Sequence, residues 1–308
     1  MTDRFTLLFA VSDKGGTGRS VTACNVAYRL AQLGRDVAYL DFDFGSPTAG
    51  AIFEITNVER GIGRAGLHSY LHGDAAAPAR VDVRAQTEAP SLRHATPSAG
   101  RLVLYPGDQG GAEFSSEAVR YTPKCVDLFL QLKREFEVVV VDLSAGRSVA
   151  AQLALQATRD VRLRQDRALW LVFHRWTRQH IIAAHNLVQG PFGLLRTGET
   201  AGHDLDALRE SIQYVRTAVP ALDKPNSAER AAQAEWLRTC HADLKQLAMT
   251  LELGHSVTFG ETPMEPMLQW REQIITDADV ANEIANRATV EAFQSLARRI
   301  VAGTQEGS

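Results

Sequence analysis

The stretch AVSDKGGTGRSV, Ala10 to Val21, decides the fold class. It lies between a short apolar run, FTLLFAVS (Phe5–Ser12), and SVTACNVAYRLAQL (Ser20–Leu33), whose apolar residues recur at helical spacing. An apolar run bounded by glycines reads as a buried strand, and Gly34 stands where a helix commonly ends. Successive glycines between a strand and a helix let backbone N–H groups converge on one point. The helix aims the positive end of its dipole at the same point, which makes an anion nest suited to a di- or triphosphate. Such loops usually end in Gly-Lys-Ser/Thr. This one ends in Gly18-Arg19-Ser20, and its lysine comes early, at Lys14.

The residues around that nest have definite chemistry. Arg19 keeps a permanent charge and can bond two phosphate oxygens, although its planar fork does not sit as an ammonium does. Ser20 supplies the hydroxyl that a phosphate-bound Mg²⁺ needs. Lysine occurs only at Lys14, Lys124, Lys133, Lys224 and Lys245, so one inside a glycine loop stands out.

Outward from the loop, three further runs read as strands: DVAYLDFDF (Asp36–Phe44), EVVVVDL (Glu137–Leu143) and RALWLVFH (Arg167–His174). The last is followed by the helical RQHIIAAHNLVQG. Apolar strands without strict alternation, followed by helices, predict an α/β fold: a mostly parallel, doubly wound sheet with helices on both faces. The chain, 308 residues, reads as one domain over 1–308. Thr87 to Gly100 reads as a loop. The polar stretch 198–253 reads as a helical insertion, and ATVEAFQSLARRIVAG as a closing helix with Val290, Phe293, Leu296, Ile300 and Val301 on one stripe.

A net charge of −3 does not suggest a protein that coats nucleic acid. Cys24, Cys125 and Cys240 are too widely spaced for a metal knuckle or redox motif and read as free thiols in a reducing compartment. The N-terminal apolar run is too short for a signal peptide, and no segment approaches the length of a membrane span. The expected location is the cytoplasm.

Taken together, KGGTGRS resembles the deviant Walker A motif, KGGxGK[ST], of the ParA/MinD family of P-loop ATPases, in the variant that carries arginine at the second basic position. The resemblance implies that Lys14, Gly15, Gly16, Thr17, Gly18, Arg19, Ser20 and Val21 surround the phosphates of ATP, with Lys14 and Arg19 in the catalytic set. It also implies that Lys14 reaches across an ATP-sandwiched homodimer to the partner's phosphates. The family's second element, a strand ending Asp-x-Asp, matches VAYLDFDF. The resemblance makes Asp43 the water-positioning residue and gives Asp41 a place in holding Mg²⁺. FEVVVVDLSAG matches the Walker B strand, so that Asp142 would bind Mg²⁺ through water, alongside Ser20, and Gly146 would let the backbone approach the γ-phosphate.

Softer matches cover GLHSYLHGD, LVLYPGDQGG and SVTFGETPMEPMLQWRE; on the last, Thr262, Pro263 and Met264 would lie near the adenine. An ordinary loop whose path Pro263 and Pro266 fix is the other reading. His180 and His185, five apart, are off the spacing for two ligands on one helix face. Arg175, Trp176, Arg178 and Gln179 either touch nucleotide or a partner, or form a solvated loop. Arg298 and Arg299 either join a patch for non-specific DNA or form an exposed helix face.

Two functions follow from these readings. One is a nucleotide-dependent switch: ATP and Mg²⁺ close a homodimer, the dimer binds a partner (a protein, DNA or a membrane-associated assembly), and slow ATP hydrolysis resets it. Direct membrane binding is not expected. The other is a nucleotide-binding scaffold that hydrolyses little or nothing because Arg19 replaces the usual lysine. A metabolic enzyme on the same fold would need a substrate pocket that the sequence does not reveal.

Overall fold

The computed structural model describes residues 5–94, 98–111, 114, 118–220, 231–253 and 258–303. Eight strands form one sheet: β1 (Thr6–Val11), β2 (Val37–Phe42), β3 (Val81–Asp82), β4 (Leu102–Tyr105), β5 (Val138–Leu143), β6 (Arg167–Arg175), β7 (Ile212–Val219) and β8 (Gly260–Pro263). Their order across the sheet is β3-β4-β2-β5-β1-β6-β7-β8. Only β3 runs antiparallel to its neighbour; the other pairs are parallel. The α/β, mostly parallel expectation therefore holds.

The central strands are buried along their whole length, which is why β1, β2 and β5 read as continuous apolar runs. The odd-numbered β1 residues Leu7, Phe9 and Val11 pack into one core layer with Trp170, Phe42 and Phe129. Leu8 and Ala10 face the opposite layer, with Tyr39, Val140 and the helix Arg19–Gln32. Strand alternation thus divides one apolar run between two cores.

That first helix ends as its sequence suggests. Gly34 takes φ +86°, its N–H donates to the Ala31 carbonyl, and the Arg35 N–H donates back to Leu30. Together they close the helix with two carbonyls satisfied, in a conformation glycine adopts at least cost. The closing helix Arg287–Ala302 buries Val290, Phe293, Leu296 and Ile300 as the stripe requires.

The 198–253 stretch differs from the helical reading. After short helices at Leu194–Ala201 and Leu205–Ser211 comes β7, a sheet strand paired with β6 and β8. Its sequence, IQYVRTAV, scatters Gln213, Arg216 and Thr217 among apolar residues with no regular period, so composition concealed a strand lying toward the sheet margin. The helix Ala231–Thr250 follows and packs through Ala248, Leu244 and Leu247. Residues 221–230 lie outside the described residues, as do 95–97 of the Thr87–Gly100 loop and the start of SVTFGETP. That loop carries one short helix, Pro90–Arg93.

Candidate functional site

Parallel strands bring their C-terminal ends to one edge, and there the expected residues meet. Ala10 of β1 is in register with Asp142 of β5, and Asp142 with Asp41 of β2. The loop after β1, the Asp-x-Asp pair and the β5 aspartate therefore leave the sheet side by side, at the crevice where open α/β sheets bind ligands.

The glycine loop is built as an anion nest. Gly16 and Gly18 take φ +69° and +74°, values that a side chain would strain, and Gly18 is the residue from which the first helix starts. A cavity of about 220 Å³ is lined by Gly15 through Val21 together with Ser12, Asp43, Thr48 and Glu272. A second, of about 260 Å³, shares Gly16, Thr17, Gly18 and Val21 and extends to Arg175, Thr262 and Pro263. Thr17 is buried between them with its Oγ unpartnered, while its carbonyl accepts the Thr217 hydroxyl at 2.5 Å. A buried hydroxyl without a partner costs stability unless a ligand or water satisfies it. A phosphate-bearing ligand fits that observation.

Arg19 is the centre of the polar network. Its guanidinium is buried: Nε donates to Asp142 Oδ1 at 2.5 Å, and Nη2 donates to Asp43 Oδ2 at 3.0 Å and to Ser20 Oγ at 3.1 Å. Burial works against its charge, but the attraction of Asp142 and then Asp43 outweighs it, leaving the pKa above its ordinary value. The second oxygen of Asp142 accepts the Tyr39 hydroxyl at 2.9 Å.

Asp41 has other work. One oxygen accepts the Ala49 N–H at 3.0 Å and the other the Asp43 N–H at 3.3 Å, so it fixes the turn that follows β2. Burial, and then the negative charge of Asp142, raise its pKa to about 8. The oxygens expected to hold Mg²⁺ are already engaged as arranged: Arg19 and Tyr39 each donate to one Asp142 oxygen, Ser20 accepts from Arg19, and Asp41 accepts two backbone amides. No group of three or more His, Cys, Asp or Glu side chains that could hold a metal ion occurs among the described residues.

Lys14, Gly15 and Gly16 are exposed on the loop, and Lys14 makes no ion pair among the described residues. Gly146 takes φ +78° and spends its N–H on the Ser12 carbonyl at 2.7 Å, tying the β5 loop to the end of β1. Of the late-loop residues, Thr262 and Pro263 line the second cavity, whereas the exposed Met264 is not among the lining residues. Its N–H donates to Val219 as an extension of the β8 pairing, and strand alternation separates its side chain from that of Pro263. Arg175 lines the same cavity, and Trp176 is buried with the Arg216 guanidinium 4.2 Å above its ring. Arg298 and Arg299 are both exposed, and one Arg299 nitrogen donates to the Thr258 and Phe259 carbonyls.

No local pattern marked Tyr39 or Thr217 as site residues. Each joins the network through a contact of more than a hundred positions in separation, and Thr217 lies on the strand that composition hid. Among the described residues, no helix is long and apolar enough to cross a membrane.

Comparison with known proteins agrees with this geometry. A family model described as the CobQ/CobB/MinD/ParA nucleotide binding domain matches residues 8–284. No curated protein sequence matches the chain. Among solved structures, the MinC:MinD cell division complex of Aquifex aeolicus is similar at a TM-score of 0.60 and 15% identity, covering 97% of this chain and 96% of that one. Cobyrinic acid a,c-diamide synthase of Mycobacterium smegmatis, with bound ATP analog and magnesium, is similar at 0.59 and 15%, covering 99% and 97%. A putative plasmid partition protein of Borrelia burgdorferi bound to AMPPNP is similar at 0.57 and 12%, covering 98% and 100%. At these identities the likeness establishes the MinD/ParA P-loop fold. The family model covers most of the sequence, and the chain belongs to the CobQ/CobB/MinD/ParA nucleotide-binding family.

Proposed function

We propose that the chain is an ATP-binding switch whose closed form is a homodimer, with Lys14 of each protomer completing the phosphate site of the other. The observation that carries this reading is the position of Lys14. It is exposed next to Gly15, the first loop residue that lines the cavity, and has no ion pair of its own among the described residues. A cation that its own fold leaves outside the network is suited to a phosphate delivered from across an interface. ATP then favours the closed form over ADP to the extent that the γ-phosphate adds contacts there. The closed form binds a protein partner. DNA is the lesser candidate, since the chain carries a net charge of −3.

A second reading, a scaffold that binds nucleotide and hydrolyses little, draws support from one contact. Asp43, expected to orient the attacking water, accepts Arg19 Nη2 at 3.0 Å. A carboxylate oxygen that already accepts from a guanidinium is less free to orient a water. We therefore expect turnover to be slow at most, with the switch reset by nucleotide exchange or by a partner. Molecular mass with ATP and with ADP tests the switch, and phosphate release in the same samples separates it from the scaffold. Release with no change of mass would leave only an ATPase.

A further inference from the structure

We propose that the Arg19 guanidinium stands in for the divalent cation of the phosphate pocket, so that the chain binds its nucleotide as the metal-free anion. The inference rests on the nucleotide reading above and goes beyond it. A divalent cation beside a bound triphosphate needs protein oxygens with lone pairs to give, from a hydroxyl and a carboxylate. The oxygens at this place are those of Ser20, Asp142 and Asp43, and one guanidinium holds all three, at 3.1, 2.5 and 3.0 Å. The remaining Asp142 oxygen is closed by Tyr39. A fixed monovalent cation thus occupies the ligand set that a mobile divalent one would use.

The guanidinium also faces the pocket. Arg19 lines the same cavity as the loop, and Nη1 has only a 3.5 Å contact with Ser12 Oγ, at the outer limit of a hydrogen bond. That nitrogen keeps donor capacity for a phosphate oxygen. Further counter-charge comes from Arg175 on the wall of the adjoining cavity.

Two physical points favour a guanidinium that stays over one that steps aside for Mg²⁺. A lysine here would hold the carboxylates as a point charge on a flexible stem and could swing clear. The planar fork of arginine holds both acids and the hydroxyl at once, and withdrawing it would strip Asp142 and Asp43 together. Mg²⁺ sheds its water reluctantly and demands near-octahedral oxygens, whereas these oxygens are already arranged around a planar group.

The test is calorimetric titration of ATP into the full chain, once with excess Mg²⁺ and once with excess EDTA. The dissociation constants should agree within about threefold. Arg19→Lys, its fold checked by circular dichroism, should gain a Mg²⁺ dependence of about tenfold or more. Loss of about tenfold or more in wild-type affinity on removing Mg²⁺ would mean that the metal displaces Arg19, and the inference fails while the nucleotide reading stands. An Arg19→Lys variant that binds ATP equally with and without Mg²⁺ would also overturn the assignment to Arg19. Absence of binding under both conditions would remove the nucleotide reading itself, and this inference with it.

Discussion

Arg19 Nε lies 2.5 Å from Asp142 Oδ1, and the same guanidinium reaches Asp43 at 3.0 Å. The arginine that departs from the usual phosphate-loop lysine is thus bonded to the two acidic motifs that follow it in the sequence. It joins three elements of the site into one network.

Removing that arginine should be costly. Arg19→Ala leaves a buried Asp142 and a partly exposed Asp43 without their counter-charge, for an expected loss of about 3 kcal/mol of unfolding free energy at neutral pH. Adding Asp142→Asn should restore part of it, because the uncompensated charge is gone. Urea unfolding of the single and double variants checks this; additive losses would contradict the coupling.

Lys14→Ala should behave in the opposite way. The side chain is exposed and has no ion pair among the described residues, so unfolding free energy should change by about 0.5 kcal/mol or less. The ATP-dependent change of mass should disappear. A variant that still dimerises with ATP would remove the trans role.

Thr217→Val tests the tie between β7 and the glycine loop. The Thr217 hydroxyl donates to the buried Thr17 carbonyl at 2.5 Å, and its loss should cost about 1–2 kcal/mol and weaken nucleotide binding severalfold. Unchanged stability with unchanged affinity would show that the tie does not shape the loop.

His174 gives a pH signature. It is buried beside Trp176 and Tyr214, and burial above all lowers its pKa from 6.5 to about 4. The folded state therefore prefers the neutral ring. Its contribution, up to about 3 kcal/mol, is complete above pH 6.5 and is lost as the pH falls from there toward 4. His174→Phe should flatten the fall in urea midpoint across that window; a slope equal to wild type would assign the acid sensitivity elsewhere.

The parts of this molecule legible in its sequence are those governed by local pattern. Apolar runs marked β1, β2, β5 and β6 because central parallel strands are buried on both faces. Gly16, Gly18 and Gly34 marked turns because their positive φ values exclude most other residues. The strand β7 escaped because polar residues break its apolar run with no regular period and it follows the charged helix Leu205–Ser211. The direction of the Arg19 side chain escaped for a different reason. It is set by Asp142, 123 positions away, and no local pattern distinguishes a guanidinium over phosphates from one bound to carboxylates. Likewise, Asn25 and Arg29 sit inside the first helix as polar residues on a buried face. Their partners, at Gln273, Ile275 and Asp277, come from the far end of the chain.

The most direct measurement is the molecular mass of the chain in solution by light scattering, with saturating ATP and with saturating ADP, nucleotide occupancy being confirmed in each sample. A dimer with ATP and a monomer with ADP is the predicted result. The same mass in both, with nucleotide bound in both, would contradict the switch.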